Sequence, residues 1–533
     1  MTTDAAAAQP ALTPSQKIAA GYVSDGPALE LGTVVVDGVA DSAARVRIPL
    51  ATVNRHGLVA GATGTGKTKS LQVIAEQLSA AGVPVLMADV KGDLSGLSRP
   101  GTPGDRTAQR ATDTGDDWVP TAFPVEFLSL GTSGIGVPVR ATITSFGPIL
   151  LSKVLGLNAT QESTLGLIFH WADQQGLPLL DLKDLRSVIQ FLTSDEGKPQ
   201  LKALGAVSPT TAGVILRALV NLEAEGADTF FGEPELRPED LMRVDAQGRG
   251  VITLLELGSQ AARPVMFSTF LMWVLADLFT FLPEVGDVEK PKLVFFFDEA
   301  HLLFNDASKA FLDQVEQTVK LIRSKGVGVF FCTQLPTDIP NNVLSQLGAR
   351  VQHALRAFTP DDQKALNKTV RTYPKTDVYD LESALTSLGT GEAIVTVLSE
   401  RGAPTPVAWT RMRAPRSLMD TIGPDAIAAA AKASPLQAEY GQTIDRDSAY
   451  ERLSAKLAPP PPPAAAPAPA DLPPVPQQID LPPMPAPAQR EEPSMFDKMM
   501  DSPAFKSAMR SAGTVIGREI TRSIFGTGSR RRR

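Results

Sequence analysis

The sequence predicts an α/β protein built on a mostly parallel sheet, and three features carry that prediction. Short Val/Leu/Phe-rich runs bounded by turn residues alternate with helix-like patterns along the chain. Runs such as Leu293-Val-Phe-Phe-Phe297 are continuously apolar, as a strand must be when helices cover both faces of its sheet. A glycine-rich turn at 61–66 stands between one such run and a helical pattern. The 533 residues are 43% hydrophobic and 20% charged, an ordinary globular composition with length for two to four domains.

In chain order, residues 1–16 read as disordered, and 17–50 as a small β-rich unit from Thr33-Val-Val-Val-Asp37 and Ala44-Arg-Val-Arg-Ile48. Residues 51–147 form the first part of the core, with a strand at Val83 to Ala88. A helical insertion is expected over 148–246, where Ser208 caps a helix, Pro209 opens it and Gly226 stops it. The second part of the core, 247–450, carries strands at Val251 to Leu257, Leu293 to Phe297, Val327 to Thr333, Arg350 to Leu355 and Ala393 to Leu398. Residues 459–493 hold 15 prolines in 35 positions, a semi-rigid polyproline linker. The last segment, 494–533, spaces Phe496, Met499, Met500, Phe505, Met509, Val515, Ile516 and Ile520 as an amphipathic basic tail. No repeat of 20–50 residues is present.

Formal charge is −7, but 494–533 carry nine Lys/Arg against three Asp/Glu, which leaves −13 on the rest. Cys332 is the single cysteine, so intramolecular disulfides and multi-cysteine zinc sites are excluded and a cytoplasmic setting is expected. Cys332 itself reads as a core residue. The N-terminal residues lack a secretory pattern, and the most apolar stretches are short and carry Asp277 or Lys153, so no transmembrane segment is expected. His56, His170, His301 and His353 have no metal-ligand spacing.

Gly61-Ala62-Thr63-Gly64-Thr65-Gly66-Lys67-Thr68 fits GxxxxGK[ST], the P-loop or Walker A pattern. Its glycines let backbone N–H groups curl around phosphates, Lys67 reaches the outer phosphates, and Thr68 offers a hydroxyl to Mg²⁺. The strand Leu293–Phe297 ends in Asp298-Glu299, the Walker B arrangement. Asp298 belongs in the metal shell, and Glu299 is the candidate base for an attacking water. Gln334 ends another strand as a γ-phosphate sensor candidate. Arg350 is the arginine-finger candidate, with Arg356 and Arg323 competing. Asp89 and Asp93, in Met87-Ala-Asp-Val-Lys-Gly-Asp93, either face the nucleotide, touching the attacking water or the metal shell, or cap a helix.

A GTPase needs Asn-Lys-x-Asp, and Asn367-Lys-Thr-Val370 lacks the Asp, so ATP with Mg²⁺ is the expected cofactor pair. Asp298-Glu-Ala-His301 matches a helicase tetrapeptide, but the arginine-rich partner motif is missing near Gln346 to Arg350, and Leu94-Ser-Gly-Leu97 lies far from Walker B. Taken together, Asn54-Arg-His-Gly57 leading into Gly61–Thr68, Met87 to Gly96, Asp298 to His301 and Cys332-Thr-Gln334 resemble the bacterial HerA-like ATPases of the HerA/FtsK superfamily. Over residues 17–450 the resemblance implies a RecA-like core, a hexameric homo-oligomeric ring, ATP sites between subunits, and double-stranded DNA in a central channel. The expected function is a motor ATPase coupling hydrolysis to DNA translocation or remodelling. A regulatory P-loop ATPase, controlling a protein partner through the Pro-rich linker and tail without DNA, is the alternative.

Overall fold

The computed structural model describes residues 12–89, 92–203, 207–257, 264–286, 288–305 and 307–457. The expected linker 459–493, the basic tail 494–533 and Lys91 lie outside the described residues. The strands are β1 (Ala28–Val36), β2 (Val39–Pro49), β3 (Gly57–Ala60), β4 (Val85–Asp89), β5 (Val125–Leu130), β6 (Val137–Val139), β7 (Ile252–Glu256), β8 (Leu293–Phe297), β9 (Val327–Thr333), β10 (Ala349–Gln352), β11 (Glu392–Thr396) and β12 (Ala408–Met412). They join in one sheet of order β2-β1-β12-β11-β10-β3-β9-β8-β4-β7-β5-β6. From β10 to β6 every pairing is parallel. The other wing, β10 to β2, is antiparallel. The α/β, mostly parallel class is as expected, and the central order β10-β3-β9-β8-β4 with a glycine-rich turn after β3 is RecA-like.

Continuous apolar sequence marks the strands that are covered on both sides: every residue of β3, β4, β7, β8 and β9 is buried. Alternation divides them between two cores. Leu58, Leu86, Phe295, Phe297 and Phe331 face one, and Val59, Val85, Met87, Val294, Phe296 and Phe330 the other. The first core is closed by Ile143–Val154, Ala159–Gln174, Leu182–Thr193, Pro209–Ala224, Pro264–Phe281 and Lys309–Ile322. The second is closed by Lys67–Ala80, which buries Leu71, Ile74, Ala75 and Leu78.

The helix expected after Ser208 spans Pro209–Ala224, with the Ser208 side chain accepting the Thr210 N–H and Gly226 in the left-handed region. Within Ile143–Val154, Gly147 has φ 75° ahead of Pro148, so the helical path breaks there. Downstream of Gly226, the stretch to residue 246 holds no further α-helix, only 3₁₀ turns at Ala227–Thr229 and Pro238–Leu241 and isolated β-bridges at Phe231, Glu233, Glu235 and Val244.

Two sequence expectations change. Residues 17–50 form no separate β unit: β1 pairs with β2 on one side and with β12 on the other, so the hairpin continues the central sheet. Its residues Leu31, Val34, Val46 and Ile48 need the second core to bury against. Within the segment read as disordered, Pro14–Ala19 is a helix that opens on a Thr13–Gln16 capping box. No helix among the described residues is long and apolar enough to cross a membrane.

His56 locks the start of β3. It sits at φ 61°, and its buried ring accepts the Val329 N–H at Nδ1 (3.0 Å) and donates from Nε2 to the Val319 carbonyl (2.8 Å). This holds β3 to β9 and to the helix Lys309–Ile322. A proton on Nδ1 would set two donors against each other. Burial, with Arg323 nearby, lowers the His56 pKa to about 4. The unfolded chain binds that proton below about 6.5, so the contribution of His56 to stability falls as pH drops from 6.5 to 4, by up to about 1.4 kcal/mol per pH unit. Urea midpoints across this range should fall more steeply for the wild type than for His56→Gln, even though the variant is the less stable at pH 7.

Candidate nucleotide site

The turn after β3 is held by segments far from it in sequence. Gly61 N–H donates to the Thr333 carbonyl (3.3 Å), Ala62 N–H to the Ala354 carbonyl (2.8 Å), and Gly391 N–H to the Thr65 carbonyl (3.0 Å). Gly61 has φ 149°, and a Cβ there would stand 2.6 Å from His353 Cβ, so only glycine lets the loop approach β10 this closely. The helix Lys67–Ala80 starts at Gly66 (φ 113°) with no side-chain cap. Its first-turn N–H groups therefore remain available to an anion, with the positive end of the helix behind them. Lys67 Nζ lies over the turn and donates to the carbonyls of Gly61 (2.6 Å) and Ala62 (3.2 Å).

Beneath the turn, fully buried His353 joins three elements. Its N–H donates to the Ala60 carbonyl (2.7 Å), Nδ1–H donates to the Glu392 carbonyl (2.8 Å), and Nε2 accepts the Ser70 hydroxyl (2.9 Å). Burial, with Lys67 nearby, lowers its pKa to about 4, so the ring is neutral at physiological pH. Sequence reading looked for metal spacing among the histidines and missed this bracing role, which needs β10, β11 and the P-loop helix brought together.

A cavity of about 250 Å³ unites the two motifs, lined among others by Thr63, Gly64, Lys67, Thr68, Asp298 and Glu299. It lies at the carboxyl edge of the parallel strands, where such sheets bind ligands. Asp298 Oδ1 accepts the Glu299 N–H (2.9 Å). Glu299 occupies φ 47°, a left-handed backbone that costs a side-chain-bearing residue about 1 kcal/mol. Its Oε2 lies 3.4 Å from His301 Nδ1. Below, burial and then neighbouring Asp298 push the Cys332 thiol pKa well up, so it remains a neutral S–H. Thr68 and Asp298 are hard oxygen donors on one cavity, the chemistry Mg²⁺ requires. Among the described residues no group of three or more His, Cys, Asp or Glu is placed to hold a metal by itself.

The structure brings Lys67, Thr68, Asp298 and Glu299 together, but not Gln334 or Arg350. Gln334 follows β9, between β3 and β8 in the sheet, and is exposed. Thr333 and Leu335 around it bond to Asp338. Arg350 pairs in register with Leu58, before the end of β3, and donates to the Thr372 carbonyl (2.9 Å). Arg356 instead reaches the P-loop, at the Thr63 carbonyl (3.3 Å). Asp89 caps a turn, accepting the N–H groups of Gly92 (2.7 Å) and Leu94 (2.9 Å); Asp93 lines the cavity. Glu256, aligned with Asp89 across β4 and β7, was not legible in the sequence. Burial and then Asp89 raise its pKa to about 8.

The backbone at Glu299 is directly testable. Glu299→Gly should unfold at a higher temperature than Glu299→Gln, by a margin equivalent to about 1 kcal/mol, measured by calorimetry. Equal melting temperatures would remove the strain argument.

No curated protein matches the chain. Among solved structures, the chain is similar to the bacterial conjugative coupling protein TrwBdeltaN70 in an unbound monoclinic form, at 14% identity over 76% of this chain and 95% of that one, TM-score 0.48. It is similar to the plasmid coupling protein TrwB in complex with the non-hydrolysable ATP analogue ADPNP, at 15% identity over 76% and 95%, TM-score 0.48. A third is VirB4 of Thermoanaerobacter pseudethanolicus, at 15% identity over 74% and 98%, TM-score 0.45. The model of the helicase HerA-like C-terminal family matches residues 36–533, and the chain belongs to that family.

Proposed function

We propose that this chain is an ATP-hydrolysing motor of the cytoplasm that works as a hexameric ring and couples hydrolysis to translocation or remodelling of double-stranded DNA. The observation that carries the reading is the single cavity lined by Lys67, Thr68, Asp298 and Glu299, four roles an NTP hydrolase needs. ATP is favoured because the Asp of the guanine-reading motif is missing at Val370.

Each residue then has one task. The open N–H groups at the start of Lys67–Ala80 bind phosphate oxygens. Lys67 transfers its donors from the carbonyls of Gly61 and Ala62 to the outer phosphates. Thr68 and Asp298 hold Mg²⁺, which when bound neutralises charge on the phosphates. Glu299 orients a water and accepts its proton. Gln334 senses the terminal phosphate from the end of β9. Arg350, bonded within its own chain away from its own cavity, serves a neighbouring subunit's site in the ring. The −13 balance outside the tail favours one alternative, a partner-controlled ATPase without DNA.

Steady-state ATPase rates with and without linear duplex, across a salt series and with oligomer size monitored, separate the two. The motor reading expects DNA stimulation that grows as salt falls, and a loss of roughly 10²-fold or more in Glu299→Gln. A Glu299-dependent rate indifferent to DNA supports the alternative.

Arg350 is tested by mixing Arg350→Ala with Lys67→Ala protein. Activity should be partly restored at the mixed interfaces of one orientation, where the P-loop comes from Arg350→Ala and the arginine from Lys67→Ala; the reverse orientation carries both defects. No rescue in confirmed mixed rings removes the role.

A further inference from the structure

Beside the phosphate-facing cavity lies a second, of about 270 Å³, which shares Gly66, Lys69 and Thr390 with it. Its walls include Met412, Pro415 and Met419 together with Arg106 and Arg110. The two arginines differ. Arg110 is committed to the backbone, donating to the carbonyls of Gly391 (3.0 Å), Met412 (3.2 Å) and Thr390 (3.2 Å). Arg106, one turn earlier on the helix Asp105–Thr114, is exposed.

Position gives this cavity a meaning. Asp298 and Glu299 follow β8, two strands from β3 on one side. Gly391 precedes β11 and Met412 ends β12, two and three strands from β3 on the other side. A triphosphate with its terminal phosphate at Asp298 and Glu299, lying across the start of Lys67–Ala80, must carry its other end over Lys69 and Ser70 toward that second flank. Four strand spacings separate β8 from β11, about 19 Å, the scale of an extended nucleoside triphosphate. Lys69 and Ser70 line the second cavity.

We propose that this second cavity receives the nucleoside, with a purine base held between the thioether of Met419 and the guanidinium of Arg106. Met419 lines the cavity and is 43% exposed, so its thioether is not committed to the core. A guanidinium stacks on aromatic faces without needing a fixed hydrogen-bond partner. Arg110 holds Thr390 and Gly391 in place at the boundary of the two cavities, as a positioning residue. The proposal rests on the ATP-site reading above.

Titration calorimetry of the full chain in Mg²⁺ tests it, with ATP and inorganic tripolyphosphate as the two probes. The wild type should bind ATP roughly tenfold or more tighter than tripolyphosphate, as a stacked base provides. Arg106→Ala and Met419→Ala, both at exposed positions, should each weaken ATP by roughly three- to tenfold and leave tripolyphosphate unchanged. Equal wild-type affinity for the two probes overturns the nucleoside cavity while leaving the phosphate site standing. ATP binding unaltered in both variants, or a parallel loss of both probes, overturns it as well. Failure of the wild type to bind either probe overturns the ATP-site reading itself.

Discussion

The loop of Gly61–Gly66 can present an organised ring of N–H groups only because its own backbone is held by three strand ends distant in sequence. Thr333 at the end of β9, Ala354 after β10 and Gly391 before β11 each bond to it. These bonds require β3 to lie between β9 and β10, fully buried in a parallel sheet. His353 adds the connection to the P-loop helix through Ser70. A buried neutral imidazole with both nitrogens bonded is costly to displace. The geometry of the phosphate-facing turn is therefore a property of the sheet order, and the glycines permit it without producing it.

The carboxylate pair depends on the opposite core. Phe295 and Phe297 on β8 pack against one another at a tilt, Phe297 stacks on Phe331 of β9, and Phe304 reaches the same Phe331 ring. That slab fixes the end of β8 where Asp298 and Glu299 emerge. The helical segments between the motifs also touch the region after Glu299: Lys153 donates to the Asn305 carbonyl, and Ser308 donates to Glu162 (2.8 Å). A change at the carboxylates thus has a packed path into those helices. On the antiparallel wing, Arg411 bridges Asp113 (2.7 Å) and Glu392 (2.9 Å), and Arg413 pairs with Asp116. These half-buried pairs hold the helix Asp105–Thr114 against β12, more as a specified arrangement than as a large source of stability.

Much of the parallel core was legible because its strands leave no ambiguity of period. Leu293–Phe297 and Val327–Thr333 have the bounds their apolar runs predict, and Ser208 begins its helix as its side-chain chemistry requires. The hairpin β1–β2 was legible as strands but not as part of the sheet, since nothing local says that Gly32 will lie opposite Met412. The amphipathic pattern of a hairpin is the same whether its apolar face meets a small separate core or the edge of a large one.

By itself, the sequence determined the elements and the reactive groups: GxxxxGKT after a strand, paired carboxylates after another, and helices between them. These are local, because backbone conformation at glycine and the period of apolar residues act within a few positions. Tertiary structure alone decided which groups share a cavity. It joined Lys67 to Asp298 across 231 residues, turned Asp89 to a cap, set His353 under the loop, placed Glu256 beside Asp89, and left Arg350 on the Thr372 carbonyl. Those outcomes follow from strand order, and strand order is set by long-range packing, which no short window of sequence contains.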